Sequence, residues 1–229
     1  MCTNNLDQIS KILLIDKPKD WTSFDVVKKT RGLVKKKYQI KKIKVGHSGT
    51  LDPLATGLLV VCIGNKTKDI KNLELLEKEY VATIKLGCIT DSFDGETIEK
   101  EPKTYSHLSE KDIEDVLCKF HGPIQQIPPI FSAIKVKGER LYKKARRGEK
   151  NIELKKRNVI ILDIKLEAIN LPLVRFKVKC SKGTYIRSLA HDIGQELNCG
   201  AYLYKLRRVS VGQYSIENAK SINDIVDSL

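Results

Sequence analysis

Between Lys44 and Gly64 the chain sets a glycine-rich connection directly against an unbroken apolar run, and this pairing constrains the fold most. The run, Leu58-Leu59-Val60-Val61-Cys62-Ile63, is far too short to span a membrane and reads as a buried strand. The connection before it, Gly46-His47-Ser48-Gly49-Thr50-Leu51-Asp52-Pro53-Leu54-Ala55-Thr56-Gly57, holds three glycines, one histidine and one aspartate. Glycine serves where the backbone needs a positive φ or must approach something closely. A carboxylate on a loop beside a scaffold strand is a common way to build a reactive site. Asp-Pro is also an ordinary turn starter, and composition alone favours the turn.

The flanking segments fix the class. Lys11 to Asp16 reads as a buried strand that Lys17-Pro18 ends. Thr22 or Ser23 caps a helix whose expected inner face is Phe24, Val27, Arg31 and Val34. Gly64-Asn65-Lys66-Thr67 lacks the glycine spacing of a phosphate-binding loop, and a short helix is expected over 67–76. From Glu79 to Gly87, Tyr80, Ala82, Ile84 and Leu86 alternate onto one face. Asp91 to Gly95 is a turn. Ser109 to Asp112 forms a capping box for a helix burying Ile113, Val116, Leu117 and Phe120. Gly122 to Pro129 reads as a proline-rich connection.

Strand-like runs follow at Val159 to Ile169 and Val174 to Cys180. A helix with Ile186, Leu189, Ile193 and Leu197 inward comes next, then a strand region from Tyr202 to Tyr214 and a last helix over 219–229. Strands and helices alternate without a clean βαβ repeat. The expected class is therefore α+β, with a mixed, largely antiparallel central sheet flanked by helices. No linker or composition break divides the chain, so residues 1–229 are expected to form a single domain.

Charge narrows the partner. The net charge is +14, from 42 Lys and Arg against 28 Asp and Glu, which points to nucleic acid or an anionic surface. Lys35-Lys36-Lys37, Lys41, Lys42 and Lys44 crowd before the glycine-rich stretch. Lys135, Lys137, Arg140, Lys143, Lys144, Arg146 and Arg147 surround Tyr142. Basic residues around an aromatic grip looped nucleic acid by phosphate contact and stacking, although a solvated helix face has the same composition. The six cysteines are dispersed and read as reduced thiols of a cytoplasmic protein. The four histidines are equally scattered, so neither a metal site nor a signal peptide is expected.

Taken with its neighbours, the loop resembles the signature of the TruB-type tRNA pseudouridine-55 synthases. Asp16-Lys17-Pro18 with Thr22-Ser23 is similar to that family's N-terminal motif, and Lys78-Glu79-Tyr80 to its tyrosine motif. Pro128-Pro129, Phe131 to Lys135 and Arg140-Leu141-Tyr142 resemble its central insertion. Cys180 to Arg187 and Leu206-Arg207-Arg208 resemble its C-terminal motifs. The matches run in order over nearly the whole chain. One departure is Asp20, where the family usually has glycine. Aspartate tolerates positive φ better than most residues.

The resemblance implies the pseudouridine synthase fold with a thumb-like basic insertion at about 124–152, and a short form without a C-terminal PUA-like RNA-binding domain. It implies isomerisation of uridine-55 in the T-loop of tRNA by a monomer, with no cofactor. Asp52 would be the catalytic carboxylate, attacking C1′ or C6 or taking a proton from C2′. Arg187 would pair with it, Tyr80 would stack on the uracil, and Leu206 would line the base pocket. His47 would fill the space left by the flipped base. Lys17, Pro18 and the insertion would contact RNA. The bland readings are a core tyrosine, a core leucine, a surface arginine and a loop histidine. The competing function is a non-catalytic tRNA-binding or tRNA-folding protein.

Overall fold

The computed structural model describes residues 9–132, 134–136, 138–149 and 154–225. In chain order the elements are β1 (Ile12–Lys17), α1 (Ser23–Tyr38), β2 (Val45–Ser48), β3 (Thr56–Ile63), α2 (Ile70–Leu75), β4 (Lys78–Leu86), α3 (Glu110–Lys119) and β5 (Gly122–Gln126). They continue with β6 (Lys135–Val136), β7 (Glu139–Arg140), α4 (Leu141–Arg146), β8 (Arg157–Asn170), β9 (Leu173–Cys180), α5 (Ile186–Glu196), β10 (Ala201–Val211), β11 (Tyr214–Ser215) and β12 (Lys220–Ser221). Two compact units result. The first takes the chain up to Val81 and from Leu206 onward, and the second runs Ala82–Lys205. The chain therefore changes unit in mid-strand, within β4 and again within β10.

In the first unit the strand order is β12-β1-β3-β10, with β2 also on β3 and β11 on β10. β3 is antiparallel to β1 and β2 and parallel to β10. Its side chains alternate between two cores. Leu59, Val61 and Ile63 join Leu13 and Ile15 of β1 against Val26, Val27 and Val34 of α1. Leu58, Val60 and Cys62 join Leu73 and Val211 on the other face. A strand covered on both faces must be apolar at every position, which explains the unbroken run. Each such side chain contributes roughly 1.5–3 kcal/mol on burial.

Helix α1 starts where expected. Thr22 is its N-cap, accepting from the Asp25 amide while the Asp25 carboxylate accepts from the Thr22 backbone. Lys35, Lys36 and Lys37 lie in its last turn, where cations complement the helix dipole. The buried face is Ser23, Val26, Val27, Thr30 and Val34, and Phe24 is 61% exposed. At 3.6 residues per turn Phe24 sits about 100° from the centre of that face, so its inward placement is corrected.

In the second unit β4, β9, β8 and β5 follow one another in the sheet, with β8 antiparallel to both neighbours. Val174, Phe176, Val178 and Cys180 of β9 and Ala82, Ile84 and Leu86 of β4 are buried, as their alternation requires. Helix α3, capped by Ser109 and Asp112, lies against β8 and α5. Ile186, Leu189, Ile193 and Leu197 are all buried in or beside α5.

The α+β class and largely antiparallel pairing expected from the sequence are present. Three local expectations change. The glycine-rich stretch is not all connection, because Val45–Ser48 pairs with Val60–Ile63 and β3 begins at Thr56, leaving residues 49–55 as the connection. Gly122–Gln126 is a strand, tolerating Pro123 because it stands last in the sheet order. Lys220–Ser221 pairs with β1 instead of continuing a helix, and residues 226–229 of that expected helix lie outside the described residues. No helix among the described residues is long and apolar enough to cross a membrane.

Candidate active site

The connection carrying Asp52 is short and fastened on both sides. Immediately before it, the Leu51 amide donates to Ser23 Oγ at 2.8 Å, and the same hydroxyl donates to the Leu51 carbonyl at 3.0 Å. Immediately after it, the Pro53 carbonyl accepts from the Asp20 amide at 2.8 Å and from Lys17 Nζ at 3.4 Å. The Ala55 amide then bonds to the Asp52 carbonyl at 3.1 Å. Asp52 is thus held by its two neighbours, one tied to the first turn of α1 and the other to the β1–α1 turn. Asp20 itself has φ 66°, the left-handed conformation its place in the motif requires.

Two buried cations complete this scaffold. Lys17 is fully buried, and its ammonium donates to the carbonyls of Pro18 (2.9 Å), Trp21 (2.6 Å) and Pro53. Burial pushes its pKa down to about 8, opposed by the Asp52 and Asp20 carboxylates and reinforced by the Arg208 guanidinium. The surface contact with RNA expected of Lys17 is therefore corrected to an internal one. Pro18, half-buried, contributes its carbonyl to this cluster. Arg208 is 1% exposed and donates from Nε to the Leu58 carbonyl (2.7 Å) and from Nη2 to the Gly49 carbonyl (3.1 Å). Gly57, at φ 102°, permits its approach, since a Cβ there would lie 2.3 Å from the Arg208 carbonyl oxygen.

His47 lies on β2 opposite Val61. Burial, followed by the nearby Arg208 guanidinium, holds its imidazole below the ordinary value and hence neutral at pH 7. Tyr80 stands in the inward row of β4 and is buried. Leu206 begins the part of β10 in this unit, is half-buried, and its carbonyl accepts from Thr56 Oγ1 at 3.4 Å. Arg207 forms a two-pronged pair with Asp16 at 2.7 and 3.1 Å.

Arg187 belongs to the second unit, in the first turn of α5. It is buried, which removes the reading of a surface arginine. Nη1 lies 3.4 Å from an Asp94 carboxylate oxygen and donates to the Ser92 carbonyl at 3.3 Å. Nη2 donates to the Phe131 carbonyl at 3.0 Å. Asp94 is buried and accepts from Ser92 Oγ (2.6 Å) and the Glu96 amide (2.9 Å). In the insertion, Arg146 lies 5.7 Å from the Tyr142 ring centroid and pairs with Glu96, while Arg147 pairs with Glu139 and Glu149. Such exposed pairs are worth little and yield readily to phosphate. Lys137 lies outside the described residues. Among the described residues no cluster of His, Cys, Asp or Glu could hold a metal ion.

Residues 35–186 match the N-terminal domain of the TruB family of pseudouridylate synthases, and residues 187–229 match the tRNA pseudouridylate synthase B C-terminal domain. The chain belongs to the TruB family. It is 48% identical to the tRNA pseudouridine synthase B of Chloroherpeton thalassium over 219 residues, covering 96% of this chain and 90% of that protein. It is 48% identical to the tRNA pseudouridine synthase B of Parabacteroides distasonis, covering 96% and 93%. Among solved structures it resembles a chain in a Cbf5-Nop10-Gar1 complex, with TM-score 0.71 and 31% identity. That match covers 96% of this chain and 54% of the other, so this chain spans about half its length. A chain in an H/ACA RNP bound to a substrate RNA containing 2′-deoxyuridine gives TM-score 0.68 at 28% identity, covering 97% and 54%.

Within this TruB chain the structure brings His47, Asp52, Lys17 and Pro18 into one cluster around residues 47–57, with Tyr80 and Leu206 in the same unit. Sequence reasoning missed Ser23, Arg208 and Asp94. In the sequence Ser23 stands as an alternative helix cap and as part of the N-terminal motif, without a role toward Leu51. Arg208 belongs to the Leu206-Arg207-Arg208 motif, which by itself assigns it no role. Asp94 was hidden in what read as a plain turn.

Proposed function

We propose that this chain is a tRNA pseudouridine synthase that isomerises uridine-55 in the T-stem-loop, acting as a cytoplasmic monomer. The observation carrying this reading is the fastening of Asp52 between Leu51 and Pro53, which presents one carboxylate in a fixed place within a family of pseudouridylate synthases. The pinned geometry suits a reaction that needs positioning more than reagents. The C1′–N1 bond breaks, C1′ bonds to C5, and the C5 proton is exchanged for one on N1. No group is imported.

In this reading Asp52 acts at the sugar face of the flipped uridine, and Arg187 supplies the cation the family pattern assigns to it. Tyr80 and Leu206 hold the uracil. His47, kept neutral, enters the space vacated in the RNA with little desolvation cost. Lys17 and Arg208 hold the loop from inside. Extruding the nucleotide costs a few kcal/mol, which the basic insertion's phosphate contacts offset. The test is incubation with unmodified tRNA and chemical mapping of pseudouridine. A single new pseudouridine at position 55 is expected, abolished by Asp52→Asn with tRNA binding retained. Absence of product with the intact protein would refute the reading.

A further inference from the structure

The basic insertion leaves and re-enters the sheet at one rung. Gln126 ends β5 and is the register partner of Arg157, the first residue of β8. The Gln126 side chain is 1% exposed and reaches a different element, the start of α5. Its Oε1 accepts from the Tyr185 amide at 3.0 Å, and its Nε2 donates to the Tyr185 carbonyl at 3.3 Å. Tyr185 is the N-cap of α5 and makes no side-chain cap bond of its own, so a side chain from β5 holds the helix start.

Two further bonds join the same segments. Ser188 Oγ donates to the Ile127 carbonyl at 2.7 Å, and Arg187 Nη2 donates to the Phe131 carbonyl at 3.0 Å. Just beyond Phe131 the chain is bonded to α4. The Tyr142 amide donates to the Ser132 carbonyl at 3.0 Å, and the Leu141 amide to the Ile134 carbonyl at 2.7 Å. Residues 185, 187 and 188 are thus tied to residues 126, 127 and 131, which run on into the segment bonded to the helix of Tyr142 and Arg146. On its other side Arg187 Nη1 meets Asp94 and the Ser92 carbonyl.

A side-chain amide that satisfies both backbone groups of one residue fixes that residue's position and orientation. Helix starts are commonly capped by their own Ser, Thr, Asp or Asn. Holding α5 from the base of the insertion instead makes the place of Arg187 depend on that base.

We propose that Gln126 is a positioning residue for the reaction: it holds α5 against the base of the insertion, so that Arg187 stands in a fixed place relative to the cations that grip the RNA. This rests on reading Arg187 as the cation of the reaction. Gln126 acts through Tyr185 and Arg187, and Ser188 is the second tie.

The test is a double-substitution cycle on the full-length protein with unmodified tRNA. Gln126→Ala is expected to lower the single-turnover rate at saturating tRNA about tenfold, while the Kd for tRNA stays within about twofold. In an Arg187→Lys background the same substitution should cost less than about twofold, because the group it displaces is already gone. Ser188→Ala removes one bond to the carbonyl of a residue that is 49% exposed, so it is expected to fold as the wild type does. It should lose about threefold in rate, again only when Arg187 is present. Losses that multiply in the Arg187→Lys background overturn the proposal, as does an unchanged rate in folded Gln126→Ala. If Gln126→Ala does not fold, the Ser188→Ala cycle decides by the same criterion. Should the intact protein form no pseudouridine, the reading of Arg187 fails, and hydrogen exchange decides the tie separately. Binding of tRNA is then expected to slow exchange of the amides at 185–188 in the wild type but not in the variants, and equal slowing overturns the tie.

Discussion

The Ser23 hydroxyl both accepts the Leu51 amide and donates to the Leu51 carbonyl, at 2.8 and 3.0 Å, one residue before Asp52. A buried side chain that satisfies both backbone groups of one residue fixes that residue's position and orientation. Ser23 is itself buried at the start of α1, so the helix and the loop are one rigid piece. Ser23→Ala leaves both Leu51 groups buried and unpaired, at about 1–3 kcal/mol. We expect the midpoint of urea unfolding to fall accordingly. We also expect the single-turnover rate to drop tenfold or more while the Kd for tRNA stays within about twofold. A rate unchanged in a destabilised variant would show that Asp52 does not depend on this fastening.

Gly57 and Gly32 give opposite outcomes for the same substitution. At Gly57 φ is 102°, and an added Cβ would lie 2.3 Å from the Arg208 carbonyl oxygen and 2.7 Å from its nitrogen, both backbone atoms that cannot yield. Gly57→Ala would part β3 from β10, and we expect loss of about 3 kcal/mol or more, or insoluble protein. Gly32 lies inside α1 with nothing within 4 Å of the added atom. Gly32→Ala should stabilise by about 0.5–1 kcal/mol with unchanged activity. Denaturant melts of the two variants in parallel check both signs.

Asp94 and Arg187 form a buried pair whose members have different fates when the pair is cut. Both are nearly inaccessible, and Arg187 retains the Ser92 and Phe131 carbonyls. Asp94→Ala leaves a guanidinium buried without this charge partner, and breaking such a pair costs about 3–5 kcal/mol. Asp94→Asn keeps an acceptor oxygen and should cost less stability. It should nevertheless lower kcat at least tenfold with KM nearly unchanged, if Arg187 is the cation of the reaction. Equal effects of Asn and Ala on stability and rate would indicate a purely structural pair.

Much of this was legible in the sequence because local chemistry and long-range packing agreed. Tyr80, Ala82, Ile84 and Leu86 alternate, and the strand is there. Ser109 and Asp112 form the capping box they spell. The expected turn at Asp20 is made with φ 66°, although the residue is not glycine. The failures have a common cause. Nothing in the Lys17 motif reveals that its ammonium turns inward to three carbonyls, because burial is set by segments distant in sequence, Pro53 among them. Phe24 reads as core by hydrophobicity alone, but the face set by Ser23, Val26, Val27, Thr30 and Val34 turns it to solvent. Gly122 to Gln126 looked like a connection because proline is excluded from inner strands but not from the end of a sheet order.

The stability of the folded chain should carry a mark of Asp192 in its pH dependence. Burial raises this carboxyl from the ordinary 3.8 to about 6, so between those values the folded state binds more protons than the unfolded one. Stability therefore falls as pH rises from about 4 to about 6, and the full cost persists above it. The group is partly open to solvent, so the cost is about 1–2 kcal/mol after screening. The Asp91 carboxylate, which lines the same cavity as Asp192, is paired with Lys100 at 2.5 Å. Asp192→Asn cannot ionise. Its stability should equal that of the wild type near pH 4 and exceed it by that amount at pH 7.5, whatever the other carboxylates do, since they are common to both proteins. Urea melts of both proteins at the two pH values read the difference directly. A variant less stable than wild type at pH 7.5 would mean that the carboxylate already has a partner inside the fold.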